Sequence, residues 1–233
     1  NVRRIELETE QRKLYLAAVV DAREKLRAAK PEDKMTVFAV LMRLREICCD
    51  PRLVADNWTG SSAKLEACLE LVTEAVAGGH RILLFSQFTS MLELLAKRLD
   101  EAGVSYFTLQ GSTPKPVRAE QVRRFNQGEA DVFLISLRAG GTGLNLTAAD
   151  IVIHYDPWWN LAAQNQATDR AYRIGQRNPV QVYRLIAQDT IEEKIVELQQ
   201  AKQSLADTVT GGADGAILSM SPEQLLQLLG EEA

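Results

Sequence analysis

The spacing of apolar residues divides the 233-residue chain into a helical opening and a long stretch in which strands and helices alternate. Over residues 8–29, Leu14, Leu16, Ala17, Val20 and Leu26 form one broad apolar stripe among charges. After Pro31 the positions Val37, Val40, Leu41, Leu44 and Ile47 repeat the helical spacing until Pro51 stops it. Residues 1–57 therefore read as helical, and the polar, turn-rich DNWTGSSA marks a boundary near residues 56–62. From there helices at 64–77, 89–102, around 117–127 and around 161–173 are interleaved with short apolar strands. The strands are RILLFS at 81–86, SYFTLQ at 105–110, DVFLIS at 131–136, IVIHY at 151–155 and VQVYRLIA at 180–187. A long helix follows from residue 191; the tail loosens at Gly211-Gly212 and closes with a capped helix at SPEQLLQLL. This alternation predicts an α/β fold with a parallel sheet covered by helices on both faces, which takes ligands at the carboxyl ends of its strands.

Composition narrows the class without naming a function. With 46% hydrophobic and 25% charged residues the chain can bury a full core without disulfides or a structural metal. No apolar run approaches the roughly 18 residues of a membrane span, and the opening NVRRIELETE has no signal-peptide character. An intracellular protein is expected, and the charged start without Met reads as the middle of a longer chain. Cys48 and Cys49 are adjacent, without the two-residue gap of metal-binding pairs. With Cys68 and only two histidines they make neither a zinc site nor a disulfide framework. A net charge of −4 argues against a uniformly basic binder but leaves room for a local basic groove.

Three loops at strand ends carry candidate chemistry. Gln110-Gly111-Ser112-Thr113, with Arg118 after it, offers backbone N–H and hydroxyl donors suited to phosphate, although an ordinary polar loop fits the same residues. Ser136 to Leu146 holds Gly140, Gly141 and Gly143, which let the backbone approach a ligand closely. The dinucleotide fingerprint fails there, because Leu146 stands where its last glycine belongs, and a purely structural glycine turn remains open. In the segment 164–176, Arg170 and Arg173 are three apart on a predicted helix and share a face. Two guanidiniums aimed together suit a transferring phosphoryl group, and a solvated surface pair is the alternative.

Taken together and in order, these segments closely resemble the C-terminal lobe of Swi/Snf-type ATPases, the double-stranded-DNA translocases of helicase superfamily two. The resemblance rests on ILLFSQF at 82–88, LQGST with Arg118, SLRAGGTGLNLTAAD at 136–150 and QATDRAYRIGQ at 166–176, with DPWWN at 156–160 and LREICCDPRLV at 44–54. It spans nearly the whole chain. It implies a RecA-like helicase lobe over 61–190, a helical extension over 1–60 that packs on it, and a bracing helix with a C-terminal tail over 191–233.

In that family two lobes sandwich ATP and share a DNA groove. The resemblance implies that Arg170 and Arg173 reach the γ-phosphate, with Gln166 and Asp169 orienting them. Gly140, Gly141, Gly143 and Asn145 would couple the nucleotide cleft to the groove. Gly111, Ser112, Thr113, Arg118, Ser136, Arg138 and Trp159 would meet double-stranded DNA; of the two tryptophans Trp158 and Trp159, one is expected buried and one functional. ATP and Mg²⁺ would be bound mainly by a first RecA-like lobe of the same polypeptide, which this chain lacks. No GxxxxGK[ST] occurs in the 233 residues. Asp100-Glu101-Ala102-Gly103 mimics an acidic Mg²⁺ motif, but it ends an amphipathic helix and reads as a helix terminus. No metal site is expected in the chain itself, which alone should be inactive.

A DNA-bound protein is a candidate remodelling substrate, and no membrane partner is expected. The location would be cytoplasmic, with the nucleoid, for a bacterial source, which the lack of large insertions suggests, and nuclear for a eukaryotic one. The rival readings are a non-catalytic DNA- or protein-binding module and a strand-separating or RNA-directed helicase of the same superfamily. Two positions depart from the family pattern: Tyr172 where many relatives have His, and Leu161 where many have Pro.

Overall fold

The computed structural model describes residues 1–140, 143–206, 217 and 219–230. Its strands are β1 (Val2–Ile5), β2 (Ile82–Ser86), β3 (Tyr106–Leu109), β4 (Val132–Ser136), β5 (Ile151–His154) and β6 (Gln181–Ala187). Its α-helices are α1 (Thr9–Ala28), α2 (Lys34–Cys49), α3 (Ala63–Ala77), α4 (Thr89–Ala102), α5 (Lys115–Asn126), α6 (Leu137–Gly140), α7 (Leu161–Thr168), α8 (Ile191–Ala206) and α9 (Pro222–Leu228).

The sheet order is β1-β6-β5-β2-β4-β3. Every residue of β2, β4 and β5 is buried, as continuous apolar runs covered on both faces must be. β2 pairs in parallel with β4, from Ile82 opposite Val132 to Ser86 opposite Ser136, and with β5, from Ile82 opposite Ile151 to Phe85 opposite His154. The chain runs outward from β2 to β3, returns to β4, then crosses β2 to reach β5. The glycine-rich loop after β4 therefore lies where the winding reverses, the place at which such sheets bind ligands.

β1 departs from the helical reading of residues 1–57. VRRI carries too much charge to read as a strand, yet an edge strand needs only backbone pairing, and charge protects such an edge from foreign strands. Asn1 N donates to Val182 O at 2.8 Å, Arg184 N donates to Asn1 O at 2.9 Å, and the Arg3 guanidinium lies 5.3 Å from the Tyr183 ring centroid. Asp100 to Ala102 do end α4. Gly103 follows with φ 69°, and its N–H donates to the Leu99 and Asp100 carbonyls.

The chain groups into two compact units. The first comprises Asn1–Arg3, Leu65–Trp158 and Ala162–Ile186. Its core packs Leu83, Phe85, Phe125, Phe133, Ile135 and Leu146, with the Phe125 and Phe133 ring centroids 5.2 Å apart.

The second comprises Arg4–Lys64, Trp159–Leu161 and Ala187–Ala233. In α2 the apolar positions read from the sequence are all buried. In α1 the stripe is rotated: Leu16 and Val20 are exposed, and the buried face is Gln11, Tyr15, Val19, Ala22 and Leu26. Hydrogen bonding explains the rotation, because buried polar groups are tolerated when partnered. Gln11 donates from Nε2 to Ile47 O at 2.9 Å and accepts from Ala63 N at 3.2 Å, and the Tyr15 hydroxyl accepts from Ile191 N at 2.8 Å. Nearby, the fully buried Lys64 ammonium lies 2.6 Å from Glu192 Oε1, while Glu192 Oε2 accepts from Ala187 N at 2.8 Å. The capped helix expected at SPEQLLQLL is α9, and Ser221 and Gln224 form its capping box. The loosened segment at Gly211-Gly212 and the last residues of the predicted long helix lie outside the described residues. Cys48, Cys49 and Cys68 are buried free thiols.

Candidate functional site

The loop after β3 is held by its own side chains. Gln110 N donates to Thr113 Oγ1 at 3.0 Å, and Thr113 N donates back to Gln110 O at 3.1 Å. Arg118, in the first turn of α5, donates from Nε to Thr113 O at 2.7 Å and from Nη2 to Gly111 O at 2.7 Å and Gln110 O at 3.3 Å. One guanidinium thus engages three loop carbonyls, and the exposed Gly111 and Ser112 form the rim.

The loop after β4 adjoins it. A Cβ built on Gly111 would lie 3.9 Å from Arg138 Cβ, and the Arg138 side chain is exposed. Ser136 is buried at the strand end, its hydroxyl accepting from Ala139 N at 3.4 Å. Gly140 packs so closely on β2 that an added Cβ would meet the Phe85 ring at 3.3 Å, and Gly143 has φ 63°. Both glycines thus answer to a steric demand. Gly141 and Thr142 lie outside the described residues. Asn145 is exposed, and its carbonyl accepts from Asn126 Nδ2 at 2.8 Å while Asn126 Oδ1 accepts from Ala148 N at 3.2 Å.

The third segment corrects the sequence reading. α7 ends at Thr168, and residues 169–175 run through turns, so Arg170 and Arg173 do not share a helical face. Arg170 is 3% exposed and donates from Nε to Gly140 O at 3.2 Å, and its carbonyl accepts from Leu146 N at 3.1 Å. Arg173 is exposed, as are Gln166 and Asp169. Burial, and then the positive charge of Arg173, hold the Arg170 guanidinium below its ordinary range, against the pull of Asp169. The structure therefore joins the arginine segment to the glycine-rich loop through Arg170 and leaves Arg173 facing solvent.

Several side chains that sequence reasoning assigned no role hold this arrangement. Gln176 donates from Nε2 to Thr147 O at 3.1 Å and Ala149 O at 2.5 Å, and its Oε1 accepts from Asn178 N at 3.0 Å. Its place at the end of QATDRAYRIGQ was the available signal; Asn126 had none. Tyr172 donates to Val180 O at 2.8 Å. Asp156, fully buried, accepts from Ser86 Oγ at 2.6 Å and from Gln87 N at 3.2 Å, which ties DPWWN to the end of β2. His154 is buried, its ring 5.5 Å from Phe85 and 5.8 Å from Trp158. Its Nε2 lies 2.9 Å from Thr168 Oγ1, whose hydroxyl donates on to Gln164 O at 3.3 Å, so His154 carries its proton on Nε2. Burial first, and then the Arg184 charge, push its pKa down to about 3.

Trp158 is buried in the first unit. Trp159, in the second, is part-exposed and covered on one face by Arg45, whose guanidinium carbon lies 4.1 Å from the ring centroid. Among the described residues no group of three or more His, Cys, Asp or Glu side chains gathers as a metal site, and no helix is long and apolar enough to cross a membrane.

The family described as helicase conserved C-terminal domain matches residues 63–175. A putative ATP-dependent helicase/translocase of Bacillus subtilis is 39% identical over 231 residues, covering 96% of this chain and 25% of its own length. The SWI2/SNF2 ATPase C-terminal domain of Sulfolobus solfataricus superposes with TM-score 0.81 at 27% identity, over 100% of this chain and 98% of that one. The same organism's SWI2/SNF2 ATPase core in complex with dsDNA gives TM-score 0.82 at 30% identity, over 100% of this chain and 50% of that one. With the glycine-rich loop at the switch point of a parallel sheet, these matches define a helicase C-terminal lobe of RecA-like fold. The chain belongs to the Swi/Snf-type ATPases of helicase superfamily two, as their C-terminal lobe. It spans 22% of the length of two ATP-dependent helicases of Mycoplasma and 25% of that of the Bacillus subtilis protein.

Proposed function

We propose that this chain is the second motor lobe of an ATP-dependent double-stranded-DNA translocase of the remodelling type, inactive without the first lobe. The observation that carries the reading is the Arg170–Gly140 hydrogen bond, which fastens the arginine segment to the glycine-rich loop beside the β3 loop. Nucleotide-facing and DNA-facing elements are thereby in direct mechanical contact. Arg173, exposed in a turn, is free to meet phosphate oxygens supplied across the cleft, and Arg170 joins it when Gly140 releases it. Gln166 and Asp169 flank them. Charge spread over a transferring phosphoryl group is what two guanidiniums stabilise. Mg²⁺ is assigned, with the phosphate cradle, to the first lobe.

On the DNA side Gly111, Ser112, Thr113 and Arg138 meet the backbone of the duplex. Arg118 and Ser136 shape the loops that do so, and Trp159 adds a contact from the groove. Gly140, Gly141, Gly143 and Asn145 carry movement between the two sides. Contacts of this kind carry little sequence information, so binding is salt-sensitive and nearly sequence-blind. ATP-driven opening and closing of two lobes then moves the enzyme along the duplex, past or against a DNA-bound protein. The complete protein should hydrolyse ATP faster with duplex DNA, and this chain alone should not hydrolyse it. A complete protein indifferent to DNA would favour the binding-module reading instead.

A further inference from the structure

α2 buries Arg45 completely. Arginine is among the residues least often buried, since its charge leaves water at high cost. An apolar residue would fill a site between Leu44 and Ile47 more cheaply. What Arg45 offers in return is a flat cation 4.1 Å from the centroid of the Trp159 indole. That indole packs with one part against the cluster containing Leu41, Leu44, Ile47 and Cys48, and stays partly exposed elsewhere. A guanidinium stacked on an aromatic face fixes the plane of the ring, and the attraction strengthens when both partners are shielded from water.

We infer that Arg45 is a positioning residue for Trp159, holding the indole in the one orientation in which its exposed part meets the DNA duplex. This rests on the DNA contact proposed for Trp159. It also assigns a task to LREICCDPRLV, of which the DNA and nucleotide roles above make no use.

The test uses the complete protein and reads ATP hydrolysis against duplex DNA concentration, with thermal melting as the folding control. Trp159→Ala, Arg45→Met, Arg45→Lys and the combinations with Trp159→Ala are compared. Arg45→Met should raise the half-saturating DNA concentration about three- to ten-fold without lowering the rate at saturation. Arg45→Lys, which keeps the charge and loses the plane, should fall between Arg45→Met and the unmodified protein. In the double variants the effect of Arg45 on DNA half-saturation should vanish, because the ring it orients is gone. Multiplying effects in the double variants would overturn the inference, as would a fall in maximal rate that tracks melting temperature. Should Arg45→Met not fold, the Arg45→Lys cycle decides by the same criterion. Failure of the underlying reading looks different: Trp159→Ala would then leave the half-saturating concentration unchanged, and the inference would fall with it. If Trp159→Ala matters and neither Arg45 variant does, the inference alone fails.

Discussion

Arg170 donates from Nε to the carbonyl oxygen of Gly140 at 3.2 Å, and so a residue assigned to phosphate is engaged with its own glycine-rich loop. Arg170→Ala should therefore destabilise this chain by about 1–3 kcal/mol, the cost of leaving a buried polar group without its partner. Arg173→Ala, at an exposed turn, should change stability by less than about 0.5 kcal/mol. In the complete protein both substitutions should lower DNA-stimulated turnover, Arg173→Ala by roughly 10³-fold or more. Chemical denaturation of the chain and single-site kinetics of the parent separate the two effects. Unchanged ATPase in Arg173→Ala would remove that arginine from the phosphate.

His154 makes the first unit sensitive to acid. Its folded pKa of about 3 lies below the ordinary 6.5, so the neutral ring is favoured in the fold and the stability it provides is present above pH 6.5. That contribution is lost as pH falls from 6.5 towards 3, at about 1.4 kcal/mol per pH unit. Melting of the unmodified chain and of His154→Phe between pH 7 and 4 should diverge in slope, the variant being flatter. Parallel curves would show that the ring does not stay neutral.

In the second unit the buried Lys64–Glu192 pair acts at the other end of the scale. Burial alone would lower the lysine, but Glu192 and the neighbouring thiols outweigh it and raise Lys64 above 10.5. Burial likewise raises the Tyr15 phenol above 10.0 and the Cys48 thiol above 9.0. Each raised value means that the folded state holds its proton longer than the unfolded one. Stability should accordingly fall as pH climbs past about 9. Lys64→Met alone should cost about 3–5 kcal/mol by stranding a carboxylate, and Lys64→Met with Glu192→Gln much less than the sum. Additive losses in a urea titration would mean the two side chains do not act as a pair.

Asp156→Ala should leave the Ser86 hydroxyl and the Gln87 N–H short of their acceptor in a fully buried place, costing about 1–3 kcal/mol. Asp156→Asn, which keeps an oxygen acceptor, should recover part of that loss. Equal melting temperatures for both variants and the unmodified chain would show that DPWWN is not anchored to β2 through this side chain.

The central strands could be read from the chain because ILLFS, VFLIS and IVIH are short, mainly apolar runs between helical stretches, the pattern of strands in a doubly covered sheet. β1 could not, because its pairing uses main-chain atoms that VRRI does not advertise. The choice of Tyr15 over Leu16 for the core of α1 was set by Ile191 N, a partner 176 positions away and invisible to local periodicity. The three loops were found from glycines and arginines. The opposite environments of Arg170 and Arg173 were not, since three-residue spacing decides a shared face only while the helix lasts, and α7 ends before both.

The distance along the chain between Tyr15 and Ile191, and the 206 positions between Arg23 and the Leu229 carbonyl it donates to, also govern how the protein is made. When α1 and α2 leave the ribosome, part of what covers their buried faces has not yet been translated. At about 5–20 residues per second, roughly ten to thirty-five seconds pass before Ile191 follows Tyr15. Through that interval a newborn helical hairpin presents Tyr15, Val19 and Leu26 to solvent, a sticky surface that chaperones would be called upon to guard until α8 and α9 arrive.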